Sequence, residues 1–351
     1  MLETGIIVAS RTLLPTTSGS FPDNQGMHLL IPFAFCRSEG CVSALRKLKL
    51  PQLEKLLARL TPLAPDSGDE FSLSPPHERA LARALNLPTE DGLIPWAALQ
   101  AQSLDGAWGF ITPCHWQMGS GHIAMSGPEL PDFPAHESHA LLAAMQPFFK
   151  EDGIALQFDR AQRWLARGDA LQGLPTASLD RVAGRDVTCW MPDHPRAAKL
   201  QRLQSEMQML LYTHPVNQAR TERGVPTVNS FWISGTGPLP DSFEKATLVP
   251  PPLIVTTLRD AALSEDWTAW AQAWHHVDAT QCVALLAALD HSPHPNPLAA
   301  GEGVKSRHAA ITLTLCGERN AQTFRVQAQT YWKRLMNIFD KRQPSTLLEQ
   351  L

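Results

Sequence analysis

Charge is scarce in this chain. Only 18% of its 351 residues are charged, and the formal net charge is −4. That balance gives no global pull toward nucleic acid or an anionic membrane, so neither is an expected partner. Long apolar runs are missing too: no segment approaches the ~20 residues needed to span a bilayer. The apolar patch at 6–9 has no basic region before it, which argues against a signal peptide. Cysteine is present without a pattern. Cys36, Cys41, Cys114, Cys189, Cys282 and Cys316 form no C-x-x-C pair, so neither a zinc ribbon nor a disulfide framework is expected. Buried free thiols in a reducing cytoplasm are the expectation. No repeat of 20–50 residues is visible.

What is there is hydrophobic. Such residues make up 44% of the chain, enough for a sizeable core in one large domain or two ordinary ones. Residues 1–26 carry loop chemistry and read as an extension ahead of a natural start at Met27. His28-Leu29-Leu30-Ile31 then opens a buried-strand pattern running to Phe35. Leu50, Leu53, Leu56, Leu57 and Leu60 recur at helical spacing, with Pro51 suited to a first turn. A helix is expected near 77–85, short strands and turns over 106–128, and helix again near 137–149. The clearest helix spans about 196–212, with Asp193 as its cap and a stripe of Leu200, Leu203, Met207, Leu210 and Leu211.

Further on, strand 228–233 is expected to deliver a turn, Ser234-Gly235-Thr236-Gly237, and 252–257 reads as another strand. A helix then carries Trp267, Trp270 and Trp274 on one face, a stripe that suits a core or an interface. Asp278-x-x-Gln281 reads as a capping box opening the helix 283–289. The Pro- and Gly-rich segment 292–307 reads as a surface insertion. Strands at 310–316 and 323–326 and a basic helix near 331–339 close the chain. Alternating strands and helices predict an α/β fold: a central, mostly parallel sheet with helices on both faces, and a small subdomain at about 106–190.

Two segments carry a family resemblance. One is Leu179-Asp180-Arg181-Val182-Ala183-Gly184-Arg185. The other is His214-Pro215-Val216-Asn217, followed by Arg220, Gly224, Pro226 and Asn229 and ending in the 234–237 glycines. Together, over 178–238, they resemble the archaeal-type cofactor-independent phosphoglycerate mutases of the alkaline phosphatase superfamily. The whole chain looks closer to a degenerate proteobacterial branch of that group, some of whose members are labelled regulatory. The resemblance implies an alkaline-phosphatase-like α/β scaffold and arginines that hold a phosphorylated substrate.

The chemistry of that family needs two metal ions and a Ser or Thr nucleophile. Here the expected ligands are missing. The first strand reaches Cys36 with no carboxylate before Glu39, no Ser-Asp-Thr-like element follows the first helices, and the late strand ends Leu315-Cys316-Gly317-Glu318. The leading expectation is therefore a protein that has lost phosphoryl transfer and binds a small phosphorylated or carboxylated anion, or a protein partner. Arg181 and Arg185, spaced to share a face, are the anion candidates, with backbone donors from Ser234, Gly235, Thr236 and Gly237. Asp180, His214, Asn217 and Arg220 are supporting residues; the last three read best as fixing a helix-to-strand turn. No cofactor is expected. One alternative is a working phosphomutase or phosphatase holding Mn or Zn on His275, His276, Asp278 and Glu318. His136-x-x-His139 lacks a third ligand at useful spacing, and His115 and His122 sit in a Gly-rich stretch that could line a pocket. A second alternative is an interaction scaffold presenting the Trp helix and the C-terminal helix.

Overall fold

The computed structural model describes residues 26–119, 121–243, 251–291, 311–326 and 343–351. The expected extension before Gly26, the insertion at 292–307 and the helix at 331–339 lie outside these residues.

Two sheets organise the chain. The first is built from β1 (His28–Ile31), β2 (Thr61–Pro62), β3 (Asp66–Ser67), β10 (Leu253–Ile254), β11 (Thr312–Cys316) and β12 (Asn320–Arg325), in the order β10-β1-β11-β12-β2 with β3 also on β12. The second is β7-β8-β4-β9, from β4 (Trp108–Cys114), β7 (Ala155–Arg160), β8 (Arg163–Arg167) and β9 (Ser230–Gly237). A hairpin of β5 (Trp116–Met118) and β6 (Ile123–Met125) stands apart. The expectation of a mostly parallel sheet is corrected. Among the described residues only β10, β1 and β11 pair as parallel strands; the other strand pairings are antiparallel. Connection length is the reason at two of these pairings. Residues 317–319 join β11 to β12 and 161–162 join β7 to β8, far short of the dozen or so that a parallel crossover requires.

Alternation along β1 shows how the first sheet is covered. Leu29 and Ile31 enter the large core with α1 (Glu39–Leu45), α2 (Pro51–Arg59), α9 (Thr257–Leu263), α10 (Trp267–Val277) and α11 (Val283–His291). Leu30 points the other way, onto Ala80 and Leu81 of α3 (Pro76–Ala84). The first sheet thus has helices on both faces. The second sheet buries Ile111, Trp164 and Ile233 against α5 (Ala135–Glu151) and the Leu200, Leu203, Met207 and Leu211 stripe of α7 (Ala198–Tyr212). Ahead of α7, His194 rather than Asp193 supplies the capping side chain, accepting from the Arg196 N–H. The expected strand at 252–257 is shorter, because α9 begins at Thr257.

Asp278 does cap a helix, but a distant one. Its two carboxylate oxygens accept from the Leu53 N–H at 2.7 Å and the Gln52 N–H at 3.3 Å, the first turn of α2. Leu50, the residue before Pro51, has no side chain able to do so. The box expected with Gln281 does not form, because α10 runs through a π turn, Asp278–Cys282, straight into α11. Asp278→Ala is therefore expected to cost about 1–2 kcal/mol, as other lost N-caps do. A fall in urea midpoint with unchanged slope would show it; no change would refute the cap.

His28 supplies a pH-dependent contribution. Burial, then the charge of Arg325, lower its pKa to about 4 from 6.5. Its Nε2 lies 2.9 Å from Thr314 Oγ1. A depressed histidine contributes stability above its unfolded value and loses it as pH falls toward the folded one. Acid destabilisation on the order of 2–3 kcal/mol is expected between about pH 6.5 and 4. In His28→Gln the same window should be flatter, and an identical pH curve would contradict the assignment.

Candidate cleft between the two sheets

The carboxyl ends of parallel strands are where open α/β sheets leave room for ligands. Here a cleft of about 760 Å³ opens at Pro32, which follows β1, and at Ile254 and Thr256, at the end of β10. The opposite wall is the second sheet: Phe110 and Thr112 from β4, Arg163 from β8, and Ser234 and Gly235 from β9.

Charged and polar side chains reach this cleft from several elements. Pro76 starts α3, so His77 and Glu78 fall in its first turn. The backbone around Ser178 leads into α6 (Leu179–Val182), which presents Asp180. Arg259 comes from α9. Glu78 accepts from Ser178 Oγ at 2.5 Å and from Trp96 Nε1 at 3.0 Å. Burial raises its pKa, and the negative charge of Asp180 adds to the rise. Asp180 behaves oppositely. Burial opposes its ionisation, but the Arg259 charge and hydrogen bonds from His77 and Arg259 outweigh that and hold the carboxyl far below its usual range. Arg259 Nε donates to Asp180 at 2.6 Å, Nη2 grips the second oxygen, and His77 Nε2 lies 3.1 Å away. The other His77 nitrogen, Nδ1, is buried and has no hydrogen-bond partner among the described residues.

The residues singled out by sequence are placed elsewhere, with three exceptions: Asp180, Ser234 and Gly235 line the cleft. Arg181 and Arg185 do come near each other, but around Glu318. Arg181 is 3% exposed and donates to the Glu318 carbonyl at 2.9 Å, while Arg185 pairs with the Glu318 carboxylate at 2.7 Å. Burial, then the charges of Arg185 and Arg79, push the Arg181 pKa down to about 10. Each guanidinium thus gives one nitrogen to Glu318, and neither residue lines the cleft.

Residues 234–237 form the end of β9, not a turn. Thr236 Oγ1 is buried and donates to the Leu174 carbonyl at 2.6 Å, while Ser234 and Gly235 line the cleft. The glycines serve a different purpose. Gly235 has φ +62°, and a Cβ there would stand 3.0 Å from Trp96 Cβ and 3.1 Å from Phe110 Cδ2.

His214, Asn217 and Arg220 fix the turn. His214 caps α8 (Pro215–Glu222), Asn217 bonds the Leu211 and Val228 backbone, and Arg220 is wholly buried on carbonyls and Glu137. The metal alternative does not assemble. His275 and His276 are exposed, Asp278 caps α2, and Glu318 is taken by Arg185 and the Arg37 N–H. His136 and His139 are also exposed, His139 stacking on Phe158, and His115 bonds the Thr227 carbonyl. Among the described residues no group of three or more His, Cys, Asp or Glu side chains converges as metal ligands do. On the Trp helix, Trp270 and Trp274 are fully buried, their indoles bonded to the Phe33 and Ala34 carbonyls, and Trp267 is partly buried.

His77, Glu78, Ser178, Trp96, Arg163 and Arg259 were not indicated by the sequence. Pro75-Pro76 marks a helix start just before His77-Glu78, but nothing in the spacing joins that pair to Ser178, a hundred positions on.

No family model matches the chain, and no curated protein does. Among solved structures, the PH0037 protein of Pyrococcus horikoshii is similar at 11% identity, over 87% of this chain and 90% of that one, with a TM-score of 0.39. The cofactor-independent phosphoglycerate mutase of Thermoplasma acidophilum DSM 1728 is similar at 14% identity, over 85% and 89%, with a TM-score of 0.34.

Proposed function

We propose that this chain is a phosphoglycerate-mutase-like protein without two-metal phosphoryl transfer, and that it binds a small phosphorylated or carboxylated metabolite in the cleft between its sheets in a regulatory role. One observation carries the reading. A cleft large enough for a metabolite lies at the carboxyl ends of parallel strands, with ionisable side chains from several elements meeting in it. The anion would sit at Arg160 and Arg163, which line the cleft, rather than at Arg181 and Arg185, which lie outside its lining and each give one nitrogen to Glu318. The strand ends support the loss of phosphoryl transfer: β1 is followed by Pro32-Phe33-Ala34, and the Glu318 carboxylate after β11 is bound by Arg185.

Calorimetry and thermal melts with 3-phosphoglycerate, phosphoenolpyruvate and inorganic phosphate test it. Ligand at a hundred times Kd should add about 2.7 kcal/mol of stability. Binding should persist in EDTA and fall at least tenfold in Arg163→Met. Loss of binding in EDTA, with turnover restored by manganese, would favour the metal-dependent alternative.

A further inference from the structure

The cleft is asymmetric, and its contacts can be followed residue by residue. Glu78 accepts from the Trp96 indole at 3.0 Å. Trp96 and Phe110 flank the bare Cα of Gly235 at 3.0 and 3.1 Å from a hypothetical Cβ. The Arg163 guanidinium lies 4.3 Å from the centroid of the Phe110 ring. All five residues line the cleft, so a carboxylate end and a guanidinium end are separated by two aromatic side chains.

The carboxylate end has surplus acceptors. Arg259 commits Nε and Nη2 to Asp180 and Nη1 to Asp260, so one guanidinium answers two carboxylates, and among the described residues Glu78 accepts only from a hydroxyl and an indole. At the other end Arg163 spends Nε and Nη2 on Asp159, and its Nη1 makes no hydrogen bond among the described residues. Arg160 meets Glu129 only at 3.7 Å, and both are largely exposed. Donors there remain available to an anion.

We infer that the cleft takes a polyhydroxylated anion of sugar size, a sugar phosphate or sugar acid. Its charged group sits on Arg160 and Arg163, its ring lies along Trp96 and Phe110, and its hydroxyl or amino donors sit on Glu78. The inference rests on the anion-binding reading above and adds a ligand class and an orientation. Aromatic faces suit the apolar side of a sugar ring, and carboxylates suit its hydroxyls.

The test is calorimetry on the full chain with glucose 6-phosphate, glucosamine 6-phosphate, glucuronate, glucose, 3-phosphoglycerate and inorganic phosphate. At least one of the three sugar anions should bind tenfold or more tighter than glucose, 3-phosphoglycerate and phosphate. The amino and hydroxyl arms identify the donor on Glu78, and glucuronate against glucose 6-phosphate identifies the anion. Glu78→Gln should weaken the best sugar anion at least tenfold and leave phosphate within twofold. If phosphate or 3-phosphoglycerate binds as tightly as every sugar anion, the inference fails while anion binding stands. If no anion binds, the proposed function itself fails. The wild-type series decides even if Glu78→Gln is unstable.

Discussion

Arg220→Ala is expected to leave the chain largely unfolded at 37 °C. The side chain is 0% exposed, and its guanidinium answers four oxygens. It donates to the Pro131, Asp132 and Pro226 carbonyls at 2.9, 2.7 and 2.8 Å, and to Glu137 at 2.9 Å. Asp132 itself is held at φ +44°, a conformation non-glycine residues seldom adopt. Breaking a buried pair costs about 3–5 kcal/mol, and each orphaned carbonyl adds roughly 1–3. Arg223 still reaches Glu137 at 2.7 Å, which tempers the loss without replacing the carbonyl contacts. Whole domains are stable by only about 5–15 kcal/mol. Arg220→Lys should not rescue, because an ammonium cannot span these oxygens. Urea denaturation of both variants checks this, and a change below about 1 kcal/mol in Arg220→Ala would overturn it.

Asp180→Ala should be nearly as damaging, and its effect should depend on pH. Removing the carboxylate strips Arg259 and His77 of their shared partner in a largely buried site, for about 3–5 kcal/mol. Because the folded-state pKa is depressed, this contribution is present above the unfolded value and is lost as pH falls below about 3.8. Glu78 acts with the opposite sign: its raised pKa makes its contribution full at low pH and smaller as pH rises through the folded value. The stability gap between wild type and Asp180→Asn should therefore shrink on acidification below pH 4. A gap that stays constant from pH 7 to pH 3 would show that the ion pair is not its source.

Local signals were legible where one helix face or one strand decided the outcome. Leu53, Leu56 and Leu57 are buried as their spacing requires, and so is the Leu200 to Leu211 stripe. Signals failed where a distant contact decided. Asp278 looks like the cap of the helix that follows it, yet it caps α2, more than two hundred residues earlier. The β7–β8 hairpin has no Asn-Gly turn and joins at Ala161-Gln162, so these two strands, which carry Arg160 and Arg163, went unread. Ser234-Gly235-Thr236-Gly237 looked like a turn because glycine so often marks one, whereas Gly235 sits in a strand where two aromatic residues leave no space for a Cβ. Of the cleft residues only Asp180, Ser234 and Gly235 were among the candidates, and each for a different reason.

The most direct test of the cleft uses one of its own atoms. The Trp96 indole N–H is bonded to Glu78 and both residues line the cleft. Its NMR resonance, assigned among ten tryptophans by Trp96→Phe, should shift and saturate on titration with glucose 6-phosphate or 3-phosphoglycerate. Arg163→Met should move the same titration to at least tenfold higher ligand concentration. If the anions perturb only surface amides and leave the Trp96 indole unmoved at saturation, metabolite binding in the cleft is contradicted.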